Sequence, residues 1–330
     1  MSASIVKITA GRVARTVARQ AFGLAILACA VVSFSFPGCF HAWFGVKLTS
    51  LVVPAIQIIM FGMGTTLSLD DFRRVAKCQW TVFTGVSLQF LVMPLVGFAL
   101  AKTFGLTGEV AAGCVLVGSV AGGTASNVIA YLARANVALS VTMTCCSTLL
   151  SPFLTPLAMK FLAGRFVAVD ACAMFVSILE VVLVPVVAGG LFRRVFRRTL
   201  ETRKAVCDRI LSTVSMTGIC FTILALTAPS RATFREAGAL IVAAAVLHNT
   251  IGFASGYWLT RLLGRWLPLG ETDARTVAIE VGMQNGGMAG ALAVGVLGSA
   301  VAALPANVFS IWMNFSGSLI AGYWSRRPSK

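Results

Sequence analysis

Ten apolar runs, each near the length that a helix needs to cross a hydrocarbon layer, divide this chain from end to end. They lie near 21–40, 48–67, 80–101, 109–133, 137–159, 171–192, 210–228, 236–260, 273–297 and 302–324, bounded by charge, Gly and Pro. A bilayer core of about 30 Å takes roughly 20 helical residues per crossing, so these runs use most of the 330 residues and leave short loops. Each run is expected to be a helix, because in hydrocarbon a helix satisfies its own backbone hydrogen bonds. The expected fold class is an all-α polytopic membrane protein forming a single transmembrane unit over 1–330. With 12% of its residues charged against 58% hydrophobic, the chain does not read as a soluble enzyme.

The net charge of +16 is carried between the runs. If the amino-terminal tail is cytoplasmic, that side of the membrane receives 21 of the 27 Lys and Arg, and the positive-inside rule then places both termini in the cytoplasm. The basic surplus is thus mostly an orientation signal, read for a plasma membrane. No basic stripe interleaved with aromatics points to nucleic acid. The densest group, Arg193, Arg194, Arg197, Arg198, Arg203, Lys204 and Arg209, reads as a cytoplasmic loop that also suits anionic lipid. Lys7, Arg12, Arg15 and Arg19 resemble the basic start of a signal peptide, but nine further runs and no clear A-x-A site point to a retained helix. The nine cysteines, mostly inside apolar runs and without a C-x-x-C pair, support neither a disulfide frame nor a zinc site. Cys145 and Cys146 read as packing residues.

Five runs per half is an odd number, so the second half enters the membrane from the opposite side and an inverted repeat is permitted. The fourth run contains GGTASN at 122–127, and the ninth contains GMQNGG at 282–287. Glycine pairs and small polar residues weaken a helix. Backbone groups freed at mid-membrane are tolerated only where they line a cavity or bind something. Matching interruptions in the two halves are the sequence pointer to a transport site. Close helix packing competes with this reading, since Gly118 to Gly122, Gly252 to Gly256 and Gly286 to Gly290 all have small-x-x-x-small spacing. Packing is expected for Gly252 and Gly256, and interruption for the other two pairs, which have side-chain oxygens at the same depth.

Of the 11 acidic residues, only Glu180 and Glu280 fall well inside a run. Glu280 has Gln284 and Asn285 beside it, so a bound cation and neighbouring amides can offset the cost of its burial; a hydrogen-bonded structural carboxyl is the alternative. Ser140 and Thr144 are four apart and share a helical face that can meet Ser126 and Asn127, supplying the oxygens that a hard cation such as sodium takes. By itself, that spacing fits better with hydroxyls bonded to a local carbonyl. Glu180 is expected to be structural, with a cavity-lining role as the alternative. His248 is expected to be a hydrogen-bonded core residue, with a proton relay as the alternative.

The strings GSVAGGTASN at 118–127, NVALS at 136–140 and IEVGMQN at 279–285 closely resemble the bile acid:sodium symporter family, especially its bacterial members. The similarity runs from MGTTL at 63–67 to SGSL at 316–319. This resemblance implies ten helices in two inverted five-helix repeats, with broken crossing helices 4 and 9. It implies a core domain (spans 3–5 and 8–10, about 80–159 and 236–324) moving against a panel domain (spans 1, 2, 6 and 7, about 21–67 and 171–228). Position by position, it implies one sodium site from Ser126, Asn127, Ser140, Thr144 and Glu280. A second would use Gln89, Glu280, Met283 and Gln284, with Val281 lending its carbonyl. Without the resemblance, Gln89 reads equally as a buried amide that crosslinks helices. The substrate is implied beside the crossover, where Thr124 and Asn285, together with Asn314 of the last span, meet a carboxylate or sulfonate near half-helix amino termini. Two sodium ions, an ionised Glu280 and a monovalent anion sum to a neutral loaded site, which crosses a low-dielectric barrier more easily than a charged one.

The function so implied is a sodium-coupled symporter. It would import an organic anion, bile-acid-like or a small carboxylate such as pantoate or pyruvate, by alternating access and with no obligate protein partner. A proton-coupled transporter or sodium/proton antiporter of similar layout is the competitor, although such designs usually place intramembrane acids close together. An enzyme is not expected, since neither H-E-x-x-H nor G-x-S-x-G occurs. The sequence departs from the family pattern twice. Trp312-Met313-Asn314 stands where many bacterial relatives read Trp-His-Asn, and Glu180 stands where a neutral or basic residue is expected.

Overall fold

A computed structural model describes residues 23–67 and 79–327; the basic residues Lys7, Arg12, Arg15 and Arg19 lie outside them. The apolar runs are helices. The first half comprises α1 (Gly23–Ser35), α2 (Val52–Thr66), α3 (Gln79–Thr103), α4 (Gly108–Ser119), α5 (Ala125–Leu132) and α6 (Val137–Leu162). The second comprises α7 (Ala171–Val195), α8 (Arg197–Thr202), α9 (Lys204–Thr227), α10 (Arg231–Leu263), α11 (Glu271–Gly282), α12 (Gly286–Gly295) and α13 (Ala300–Trp324). Six of these are long and apolar enough to cross a membrane: α2 with the 3-10 turn before it, α3, α6, α7, α9 and α10. The chain is an all-α polytopic membrane protein.

Two local features depart from the sequence reading. The basic group between the sixth and seventh runs is helical rather than a loop, with α7 extending to Val195 and α8 and α9 following almost at once. Arg and Lys are good helix formers, and Arg197 Nε donates to Glu201 Oε1 at 2.8 Å one turn on. Arg193 reaches instead to the carboxyl end of α2. There its guanidinium donates to the Thr66 carbonyl at 2.5 Å and satisfies an acceptor that the helix cannot. Between α1 and α2, a small hairpin pairs β1 (Ala42–Trp43) with β2 (Val46–Lys47). Its turn residues Phe44 and Gly45 both have positive φ, 51° and 80°, as a tight primed hairpin turn requires.

Helices in hydrocarbon gain little from apolar burial against each other, so close backbone approach carries much of the packing. α10 lies along α11 in this way. A Cβ on Gly256 would stand 2.7 Å from Ala278 Cα, and one on Gly252 would stand 3.0 Å from Gly282 Cα, so the packing reading of this pair holds. The other two pairs are mixed. Gly118 and Gly290 are helical packing residues, the first against the Met93 carbonyl and the second against Leu226, whereas Gly122 lies in an interruption and Gly286 begins α12. α2 packs on α7 and α9, α3 on α4, α6 and α10, and α13 on α4, α10 and α12. His248 is a buried core residue, its Nε2 2.9 Å from the Met93 carbonyl oxygen and its ring edge-on to Phe309.

Candidate ion and substrate site

The site is organised by two places where helices stop in mid-protein. α4 ends at Ser119 and the chain becomes extended at Val120 (φ −83°, ψ 168°); α11 ends at Gly282 and the chain becomes extended at Met283 (φ −114°, ψ 103°). The freed backbone groups find each other. Gly123 N–H donates to the Met283 carbonyl at 2.8 Å, and Asn285 N–H donates to the Ala121 carbonyl at 2.9 Å, with Gly122 opposite Gln284. Exchanging the two segments turns one bond into the other. A Cβ on Gly123 would lie 2.6 Å from the Gln284 carbonyl oxygen, so this approach requires glycine. Amide side chains satisfy the next carbonyls: Gln89 Nε2 donates to Val120 O at 2.9 Å, and Asn249 Nδ2 donates to Gly282 O at 2.7 Å.

Glu280, in the last turn of α11, gathers hydroxyls from two helices of the other half. Ser126 Oγ donates to Oε1 at 2.5 Å, Ser140 Oγ donates to the same oxygen, and Thr144 Oγ1 donates to Oε2 at 2.8 Å. All four residues are buried. Asn127 Oδ1 completes the group, 2.8 Å from Ser140 Oγ. The single Ser140 proton faces two acceptors, so the cluster holds more acceptor oxygens than protons to fill them. Such a set suits a hard cation. The hydroxyls of Ser140 and Thr144 thus turn to Glu280 and away from the local carbonyls that their spacing alone suggested.

One turn further on, a second polar group is closed on itself. Gln89 Nε2 donates to Gln284 Oε1, while Gln284 Nε2 donates to Gln89 Oε1 at 3.3 Å and to the Val281 carbonyl at 2.7 Å. Met283 is fully buried, and its carbonyl serves Gly123. Gln89 therefore crosslinks α3 to both interruptions.

The residues expected to meet substrate are not all together. Asn285 caps α12, its Oδ1 accepting from Met288 N–H at 3.0 Å, and its amide nitrogen lies 4.0 Å from Met60 Sδ of α2. Thr124, half-buried, begins α5 beside Gly123. Asn314 donates to the Ser310 carbonyl at 2.7 Å and lines a cavity of about 500 Å³ between α1, α10 and α13, whose walls include neither Thr124 nor Asn285. That cavity is apolar, with Leu27, Val31, Phe34 and Phe315 on its walls, yet two lining residues, Asn307 and Trp312, have a buried side-chain nitrogen without a partner. Met313 adds no donor there. Glu180 is exposed in a π-helical turn, Leu179–Leu183, and its carbonyl accepts from Gln57 Nε2 at 3.2 Å. Asn249 has no role assigned to it from the sequence. The available signal was an amide midway along the eighth span, as Gln89 is in the third.

The sequence model of the Sodium Bile acid symporter family matches residues 53–236. The chain is 41% identical over 313 residues to the uncharacterized sodium-dependent transporter YocS of Bacillus subtilis (strain 168), covering 95% of this chain and 93% of that protein. It is 38% identical over 283 residues to the probable sodium/metabolite cotransporter BASS2, chloroplastic, of Oryza sativa subsp. japonica, covering 84% of this chain and 65% of that protein. Against the probable sodium/metabolite cotransporter BASS1, chloroplastic, of Arabidopsis thaliana it is 38% identical over 279 residues, covering 84% and 67%. The chain spans about two thirds of the length of these two chloroplastic relatives.

Proposed function

The chain belongs to the Sodium Bile acid symporter family, a family of sodium-dependent transporters, and from that premise we propose a symporter that brings an organic anion into a bacterial cytoplasm with two sodium ions. The observation that carries this reading is the oxygen cluster on Glu280. A carboxylate buried in hydrocarbon costs several kcal/mol unless compensated, and a sodium ion among Glu280, Ser126, Asn127, Ser140 and Thr144 compensates it. The second ion takes Glu280, the Val281 and Met283 carbonyls, Gln284 and Gln89. It must open the Gln89–Gln284 pair to reach their carbonyl oxygens.

The reciprocal bonds at the interruptions support ten crossings arranged as two inverted repeats. The packing of α2 with α7 and α9 supports a panel set apart from a core built on α3 to α6 and α10 to α13. The amino end of α12 faces Met60 of the panel helix α2, at the seam where alternating access would open and close. There, Thr124, Asn285 and the amino ends of α5 and α12 receive the carboxylate or sulfonate; Asn314, proposed as a further substrate contact, lines the separate apolar cavity. Bile-acid-like anions and small carboxylates such as pantoate or pyruvate are the classes to test. Sodium ordering the interruptions and the anion binding between them favour one another, with a coupling typically of about 1–3 kcal/mol. The charge distribution supports both termini in the cytoplasm.

The test is thermal stabilisation of the purified protein by a panel of organic anions in sodium or potassium, repeated with Glu280→Ala. An anion that stabilises only in sodium, and not in the variant, supports the reading. Stabilisation indifferent to sodium but dependent on pH overturns it.

A further inference from the structure

We propose that Asn249 is a positioning residue for sodium coupling, holding the end of α11 in register with α13. The inference rests on the sodium reading of Glu280. Gly282 follows Glu280 by two residues, and its carbonyl, at the end of a half-helix, accepts from Asn249 Nδ2 at 2.7 Å. Asn249 is fully buried, so no bulk water replaces that bond. Its other atom is also engaged: Oδ1 accepts from Ser316 Oγ of α13 at 2.6 Å, a closer approach than the 3.3 Å from that hydroxyl to the Met313 carbonyl.

The counterpart in the first half shows what is particular about this residue. With Gly122 matched to Gln284, Val120 matches Gly282, and Val120 has its own amide donor in Gln89. Each interruption therefore has one buried amide holding a carbonyl at the break, on the last helical residue in the second half and on the residue just after the helix in the first. The far ends differ. Gln89 continues to Gln284 and ties the two interruptions together, whereas Asn249 continues to α13. α13 touches the second interruption again where a Cβ on Gly317 would stand 3.2 Å from Met283 Sδ, and where Ser310 stands hard against Gly286. The same helix carries Asn314 and one wall of the cavity. A shift of α13 therefore reaches Gly282, and through it Glu280, by one side chain.

The experiment titrates thermal unfolding of the full chain with sodium chloride, at constant ionic strength made up with potassium chloride, for wild type, Asn249→Leu, Ser316→Ala and Ser316→Thr. Asn249→Leu leaves a buried carbonyl without its donor, and its sodium half-saturation is expected to rise about tenfold. Ser316→Ala, which leaves the Gly282 bond intact but takes the donor from Asn249 Oδ1, is expected to raise it about threefold and to lower the melting temperature more in sodium than in potassium, and Ser316→Thr to restore both. If Asn249→Leu does not fold, the two Ser316 variants decide. Unchanged half-saturation in the folded variants, or melting temperatures lowered equally in both salts, overturns the proposal and leaves Asn249 a packing residue. A wild type that sodium does not stabilise overturns the sodium reading and this inference with it, whereas a sodium response lost only in Glu280→Ala and untouched by these variants overturns this inference alone.

Discussion

The groups around Glu280 and Gln284 are centred on buried residues four apart, yet their composition is opposite. Three hydroxyls converge on a carboxylate, one of them shared with an amide oxygen so that there are too few protons among them, whereas two carboxamides and a backbone carbonyl satisfy one another. On the proposed reading, the first takes a cation to complete it. The second is complete without one and has to be opened. If both hold sodium, the Glu280 group is expected to fill first, and the second ion to open the neighbouring pair.

The strongest way to break this comparison is Glu280→Ala, which removes the only charge in either group. Sodium-dependent stabilisation should fall more than a hundredfold in apparent affinity, about 3 kcal/mol or more, and Glu280→Gln should lose nearly as much if charge rather than shape is what matters. Both are read as the sodium-minus-potassium difference in melting temperature. Gly123→Ala drives a Cβ into the Gln284 carbonyl and disturbs both groups together. It should cost roughly 1–3 kcal/mol in both salts, measured as an apparent melting temperature. Gln89→Leu sharpens the contrast: it unmakes the closed pair and orphans the Val120 carbonyl, so about 2 kcal/mol should be lost in potassium as well as sodium. Ser140→Ala and Thr144→Ala should each raise the sodium half-saturation about tenfold, visible in a titration. Glu180→Gln, exposed and outside both groups, should change stability by less than about 0.5 kcal/mol and leave the sodium titration where it was.

The helices were legible because a hydrocarbon solvent leaves the backbone few choices, and a run of apolar residues near the membrane thickness states its own length. The interruptions were legible for the complementary reason, since glycine and small polar residues at mid-membrane contradict a continuous span. Positive charge was less informative. The basic residues at 193–209 mark the membrane boundary without saying that the chain there is helical, because Arg serves loops, helix surfaces and, at Arg193, the end of another helix. The Phe44–Gly45 turn was hidden because a bulky residue seldom takes positive φ.

At the site, residue types were legible and partners were not. Ser140 and Thr144 share a face by their spacing, but what that face meets is Glu280, a residue from the other half of the chain. Periodicity on one helix contains no record of that. The family resemblance supplied the grouping that spacing lacked. Asn249 shows the remaining limit, since the value of a buried amide depends on which carbonyl lies over it, and here that carbonyl belongs to a helix that stops beneath it.

The reciprocal pairing of the two interruptions also constrains how such a chain can change over generations. The peptide groups at 121–123 and 283–285 are one another's partners, and a side chain at 123 is admitted only if the carbonyl at 284 withdraws. The two halves are therefore not free to drift separately at their crossing. Substitutions there should arise as matched pairs, one in each half, so that the crossing is inherited as a single unit written in two distant places.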